Sequence, residues 1–210
     1  MTDFDSMRAG LVARLRDHSP LPVASGETMR QAAVALVLRE NLGLAELLVI
    51  KRALAERDHW SGHLALPGGR KDESDASLGF TAVRETHEEV GIDLASGGEL
   101  LGELKTIRPE SPFAPKILVT PFVAIAPSEY HVLDPEDEQR PLILNREVAE
   151  AFWVPLAHLK ERGRSEVFRM MVEGGERSWP AYTTEQGLIW GITERILTNF
   201  LELVEQREAS

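Results

Sequence analysis

The 210-residue chain contains no cysteine. That absence excludes disulfides, thiolate zinc sites, iron–sulfur clusters and any thiol nucleophile. Basic residues are in deficit, with 23 Lys and Arg against 34 Asp and Glu for a net charge of -11. Holding duplex nucleic acid by counterion release needs a Lys/Arg-rich face, so duplex nucleic acid is not an expected partner. No apolar run approaches the roughly 20 residues of a membrane span. The acidic start, Met1-Thr2-Asp3-Phe4-Asp5, lacks the apolar core of a signal peptide. The expectation is a soluble cytoplasmic protein with no membrane partner. What is present is a 43% apolar share, enough to bury one domain core.

Along the chain, Met7, Leu11, Val12 and Leu15 recur at helical spacing and predict a helix over 5–18. Ser19-Pro20-Leu21-Pro22 stops it and opens an extended linker to about Met29. Residues 1–30 are thus expected as an N-terminal helix and linker, and 31–210 as the main domain. Gln31–Arg39 and Leu47–Arg52 read as buried strands, with the turn Asn41-Leu42-Gly43 between them. A polar loop over 53–63 leads to a short strand ending at Pro67-Gly68-Gly69. Leu78–Val90 is the best helix, stopped by Gly91. Leu100–Ile107 and Lys116–Ile125 read as strands, Pro127–Pro141 as an acidic surface loop, and Glu147–Val154 as a strand running through Pro155 into a short helix. Gln186–Gln206 carries Leu188, Ile192, Ile196, Leu197, Leu201 and Val204 on one stripe, predicting a C-terminal helix. The pattern points to an α/β or α+β sandwich with one central motif helix.

The chemistry concentrates on that central helix, in Arg84-Glu85-Thr86-His87-Glu88-Glu89-Val90-Gly91-Ile92. Glu85 and Glu89 are i,i+4 neighbours with Glu88 beside them, a like-charge arrangement that costs a few tenths of a kcal/mol per pair. It calls for a compensating cation. Arg84, one turn before Glu88, supplies one; a hard oxygen-seeking ion such as Mg²⁺ or Mn²⁺ is the other. Taken alone, a solvated charged face explains the helix as well. The preceding Pro67-Gly68-Gly69-Arg70 adds two glycines that permit close backbone approach, and a glycine turn beside an acidic helix suits a metal-bridged phosphate.

Pro67-Gly68-Gly69 followed by Arg84-Glu85-x-x-Glu88-Glu89-x-Gly91-Ile92 resembles the Nudix box of the Nudix hydrolases, G-x5-E-x7-R-E-U-x-E-E-x-G-U with U apolar. Counted from Gly69, the first carboxylate is Asp75 instead of Glu, the spacing from Asp75 to Arg84 is one residue longer, and Thr86 stands at a U position. This longer variant, GGRKDESDASLGFTAVRE, resembles the coenzyme A pyrophosphatase branch, as do Leu47-Leu48-Val49-Ile50-Lys51-Arg52 and Gly62-His63-Leu64-Ala65-Leu66-Pro67-Gly68-Gly69 upstream. Leu66 replaces that branch's usual Phe. Trp179-Pro180-Ala181-Tyr182 and Ile189-Trp190-Gly191-Ile192-Thr193 extend the likeness, which covers roughly residues 30–200.

The resemblance implies an α/β fold, a Nudix-type α/β/α sandwich around a mixed β-sheet, and Mg²⁺- or Mn²⁺-dependent hydrolysis of a small-molecule diphosphate. Coenzyme A or an acyl derivative leads, giving 3′,5′-ADP and a 4′-phosphopantetheine; nucleoside diphosphate sugars, ADP-ribose and nucleoside triphosphates stay open. Glu85 and Glu89 would be the main metal ligands, with Glu88 a third carboxylate and the Gly69 carbonyl a fourth ligand. Arg84 would orient the glutamates. Gly68 and Gly69 would approach the phosphates, Arg52 or Arg57 would grip one, and Trp60 is the candidate for stacking on an adenine. His59 and His63 flank it as phosphate or base contacts, or as exposed loop histidines. The general base would be a box glutamate or a carboxylate of the loop Glu136-Asp137-Glu138. A non-catalytic nucleotide sensor is the rival class, against which all three box glutamates are retained. The apolar C-terminal helix leaves a homodimer open, with packing on the sheet as its other use.

Overall fold

The computed structural model describes residues 3–15, 29–56, 60–109, 116–172 and 175–205. Helix α1 (Phe4–Leu15) is followed by strands β1 (Arg30–Asn41) and β2 (Leu44–Arg52), a hairpin turning at Leu42-Gly43. Short strands β3 (Leu64–Ala65) and β4 (Gly68–Arg70) lead to helix α2 (Leu78–Val90). Then come β5 (Glu99–Glu103), β6 (Ile117–Ile125), a 3₁₀ turn at Ser128–Tyr130, β7 (Val148–Pro155) and α3 (Leu156–Arg162). The chain closes with β8 (Glu166–Val172), β9 (Gly175–Thr184), β10 (Gly187–Trp190) and α4 (Gly191–Glu205).

Seven strands form one mixed sheet in which β1 pairs parallel with β6 and the other neighbours are antiparallel. Strand alternation sorts the core into two layers. Ala33, Ala35 and Val37 of β1, with Leu48 and Ile50 of β2, point toward Ala82 and Val90 of α2. Leu36 and Leu38, with Leu47 and Val49, point the other way, toward Leu11 of α1, Leu159 of α3 and Phe200 of α4. Helices on both faces of a mixed sheet make the expected α/β/α sandwich. The alanines of β1 are what let α2 lie close enough for its side chains to reach the backbone.

One irregularity of the sheet sets up the site. β1 and β2 pair only next to their turn, over Leu38–Asn41 and Leu44–Leu47. Beyond that they splay, and residues 64–70 fill the gap: β3 pairs with Ile50 and Lys51, β4 with Ala32, Ala33 and Val34. The Ala35 amide donates to the Pro67 carbonyl at 2.8 Å, closing the wedge at its tip.

Four expectations change. The strand predicted over 100–107 is Glu99–Glu103, with a register shift between Leu100 and Gly102, and beyond it Ile107 keeps only an isolated bridge to Val119. The loop over 127–141 contains a 3₁₀ turn whose Tyr130 is buried. Residues 166–190, unassigned but for the helix start at 186, form a three-stranded antiparallel sheet in the order β10-β9-β8. The C-terminal helix starts at Gly191 instead of Gln186, because Leu188 belongs to β10 and Gly191 has φ +70°. The Ser19–Pro22 stop and the linker up to residue 28 lie outside the described residues. Among the described residues, no helix is long and apolar enough to cross a membrane.

Helix α1 buries Phe4, Met7, Leu11 and Leu15 in the same cluster as α4 and the sheet, so the N-terminal helix is part of the core. Leu11 is fully buried. Leu11→Ala should destabilise the fold by about 2–5 kcal/mol, lowering the midpoint of thermal unfolding by about 2–4 °C per kcal/mol at this chain size. A shift under about 2 °C, followed by circular dichroism, would show α1 to be dispensable to the fold.

Candidate active site

Ser77 starts α2 by accepting the Phe80 amide at 3.1 Å, and Gly91 ends it at φ +76°, where a Cβ would stand 2.8 Å from that of Ile143. Between these caps, Arg84 gathers the acidic residues. Its Nε and a terminal nitrogen bind Asp75 at 2.9 and 3.0 Å, a two-point contact. That terminal nitrogen is also 3.0 Å from Glu85 Oε1, and the other donates to Glu88 Oε2 at 3.0 Å. Asp75 is buried and accepts further bonds from the Asp72 amide at 2.9 Å and the Thr81 hydroxyl at 2.8 Å. The Arg84 guanidinium holds its carboxyl well below the usual range, and Asp75 in turn raises Arg84 further. Arg84 is therefore locked from below by a residue that enters the sequence reading only as a departure from the family pattern.

The glycine turn meets this helix at contact distance. The Gly68 amide donates to Glu89 Oε2 at 2.8 Å. A Cβ on Gly68 would come within 2.4 Å of the Ala33 carbonyl, and one on Gly69 within 2.4 Å of Glu85 Oε1. Both positions need the missing side chain. Glu89 is buried, contrary to a wholly solvated acidic face, and burial pushes its carboxyl up to about 7 against the pull of the Gly68 amide. Burial also raises Glu85, with Arg84 opposing. Glu147, just before β7, adds its negative charge to the field at both groups, while the Arg52 cation offsets part of the field at Glu89.

Glu147 is the site residue that sequence reasoning missed. Its location depends on long-range pairing: the Ile143 and Asn145 amides cap the last carbonyls of α2 at Val90 and Glu89, and the Glu147 carbonyl accepts the Ala53 amide at 2.8 Å. The acidic loop proposed for the base lies elsewhere. Its neighbour Val132 bridges to Asn41, eight residues along β1 from Ala33, about 26 Å at strand rise. Asp137 there accepts the Leu133 and Asp134 amides, both at 2.8 Å, and so serves the turn.

Of the other expected residues, Arg52 sits where the wedge opens, its amide bonded to the His63 carbonyl at 3.0 Å. Trp60 packs on His63 and Trp190, with ring centroids 6.0 and 5.7 Å away. Trp153 lies under the Arg39 guanidinium, and Tyr182 is buried with its hydroxyl 3.1 Å from that of Thr198. Arg57 and His59 lie outside the described residues.

Among the described residues, no three carboxylate or imidazole groups already converge as a metal cluster. Arg84 draws Glu85 and Glu88 to one side, while the Gly68 amide holds Glu89. The donor set nevertheless suits a hard divalent cation. Glu85, Glu89 and Glu147 offer oxygen only, the charges of Glu85 and Glu147 raise the Glu89 carboxyl, and Glu85 leans on a glycine that leaves its carboxylate room.

Comparison with known proteins identifies the family and the fold. The family model for the NUDIX domain matches residues 28–172. An "Uncharacterized Nudix hydrolase NudL" from Citrobacter koseri is 36% identical over 181 residues, covering 84% of each chain. One of the same description from Escherichia coli O1:K1 / APEC is 34% identical over 181 residues, again with 84% of each chain. Among solved structures, a MutT/nudix family protein from Enterococcus faecalis superposes with a TM-score of 0.56 at 19% identity, over 96% of this chain and 76% of that one. The chain belongs to the Nudix family. It is an enzyme of the Nudix hydrolase class.

Glu89 carries a pH prediction. Its carboxyl titrates near 7 in the fold against 4.5 unfolded, so folding favours the protonated form. The stabilisation is complete below pH 4.5 and is lost as pH rises through 7. In EDTA the protein should lose roughly 1–3 kcal/mol between pH 4.5 and 8 by this route, and Glu89→Gln should remove that slope. Urea unfolding across the range checks it; parallel curves for protein and variant would refute the assignment.

Proposed function

We propose that this chain hydrolyses a diphosphate that joins a nucleotide to a second moiety, with coenzyme A or acyl-coenzyme A as substrate and 3′,5′-ADP and a 4′-phosphopantetheine as products. The observation that carries the reaction class is the contact between the Gly68-Gly69 turn and the half-buried Glu85 and buried Glu89. The longer box spacing and the upstream Leu47–Arg52 and Gly62–Gly69 segments favour the coenzyme A branch.

Glu85 and Glu89, with Glu88 and the Gly69 carbonyl, would hold Mg²⁺ or Mn²⁺. The ion would polarise the diphosphate and acidify the attacking water. Around it, each residue has a separate task. Arg84, fixed by Asp75, holds Glu85 and Glu88 in place, and the Gly68 amide does the same for Glu89. Arg52 takes a negatively charged phosphate at the mouth of the wedge. Glu147 receives the proton of the attacking water; the new P–O bond forms as the bridging P–O bond breaks, and the departing phosphate leaves as a monoester.

Two measurements test the proposal. With Mg²⁺ or Mn²⁺, coenzyme A and acetyl-coenzyme A should be cleaved ahead of ADP-ribose, a UDP-sugar and dGTP, with 3′,5′-ADP identified by mass. Preference for another member of the set would move the substrate while keeping the site, and silence on all of them, with folded protein, would favour a nucleotide sensor. Glu147→Gln should lower kcat by about 10²–10⁴-fold with little change in KM. A change under about threefold would take Glu147 out of the chemistry.

A further inference from the structure

Five rings meet beside the mouth of the wedge. Phe168 lies flat on Trp190, with centroids 3.9 Å and planes 11° apart. Trp179 tilts against them at 6.3 and 5.4 Å. His63 stands edge-on to Trp190 at 4.9 Å and to Phe168 at 5.9 Å, and Trp60 leans on His63 and Trp190. The pairing of the small sheet explains the array. Phe168 lies directly opposite Trp179, and Trp190 lies opposite Ala181. Ala181, on the central strand, is small enough for rings from the two outer strands to meet above it. Tyr182 and Ile189, the next residues along, face the other way into the main core. One face of this sheet is therefore ordinary core, and the other is an aromatic wall.

That wall is not closed. Trp60 remains 39% exposed and Met170, one step outward from Phe168 on the same face, 38%. An open, pre-formed aromatic surface of this kind is costly in water and marks a binding surface. Its inner edge is His63, whose carbonyl holds the Arg52 amide, and the Arg52 cation is felt at Glu89. Arg52 thus links the rings to the carboxylates, its backbone tied to His63 and its charge acting on Glu89. A nucleotide diphosphate presents complementary groups: flat base, first phosphate, scissile bond.

We propose that this wall is the subsite for the purine ring of the substrate's nucleotide half, with Trp60 as the ring it stacks on, and with Phe168, Trp179 and Trp190 as a rigid backing. The inference rests on the diphosphate reading above and assigns a task to β8–β10. Stacking is indifferent to hydrogen-bond pattern, so adenine and guanine are both accepted, and selection between substrates falls to groups beyond the base.

Equilibrium binding of 5′-AMP to the metal-free protein tests this without turnover, which separates its failure from failure of the hydrolase reading. The protein should bind 5′-AMP at least about fivefold more tightly than ribose 5-phosphate, the low end of one base–aromatic stack. Trp60→Leu, which keeps apolar bulk without a ring, should lose that advantage, while Trp60→Phe should retain most of it. Equal affinity for the two ligands, or a Trp60→Leu variant that keeps the preference, would overturn the proposal. Should Trp60→Leu fail to fold, the ligand comparison on the unaltered protein and on Trp60→Phe decides.

Discussion

The hydrogen bond from the Gly68 amide to Glu89 is the contact on which the site depends, and it exists because two strands part. β1 and β2 leave their ladder after four residue pairs, and the segment 64–70 enters between them. An amide in the middle of a regular sheet would be spent on its neighbour strand. At the head of the wedge, it is free to point at a side chain of the helix above. Only glycine fits there, since a Cβ would strike the backbone of β1 at Ala33 and Val34. The alanines of β1 complete the arrangement by letting α2 lie low on the sheet.

Such a low helix buries its own acid. Glu89 is driven up to about 7 because it leaves water while one amide and a more distant Arg52 only partly replace the lost solvation. Glu85 is raised by burial as well, with Arg84 opposing the shift. The buried Asp75 fixes that arginine, so this charge pair sets the orientation of Glu85 and Glu88. A lysine could not replace Arg84, because the two-point contact to Asp75 and the reach to Glu88 use separate nitrogens of a planar group. The repulsion left over, with the charges of Glu85 and Glu147 acting on Glu89, is what a divalent cation would relieve.

How much of this the sequence discloses depends on the range of the interactions. The β1 strand, the end of α2 and the glycine turn were legible because each is signalled within a few residues: an apolar run, Gly91, Pro67-Gly68-Gly69. The role of Glu147 was not, since it is set by pairing of β7 with β2 and by the ties of 143–145 to the end of α2. Among 34 acidic residues, nothing local distinguishes it. The three-stranded sheet was hidden for a different reason. Its central strand contains Pro180, which argues against a central strand, and Leu188 fits the stripe of the following helix until Gly191 breaks it.

That late sheet also shows why a small residue in a strand can matter as much as a large one. β9 joins the two halves of the molecule's outer corner: Tyr182 ties inward through Thr198 of α4, and Ala181, its neighbour, leaves the space over which Phe168 and Trp190 stack. A larger side chain at 181 would separate those rings without touching the inner face. The aromatic wall is thus set by a gap in the sheet surface, as the carboxylate site is set by a gap in the strand ladder. In both places the chain makes room first, with alanine or glycine, and the functional side chains occupy what is left open.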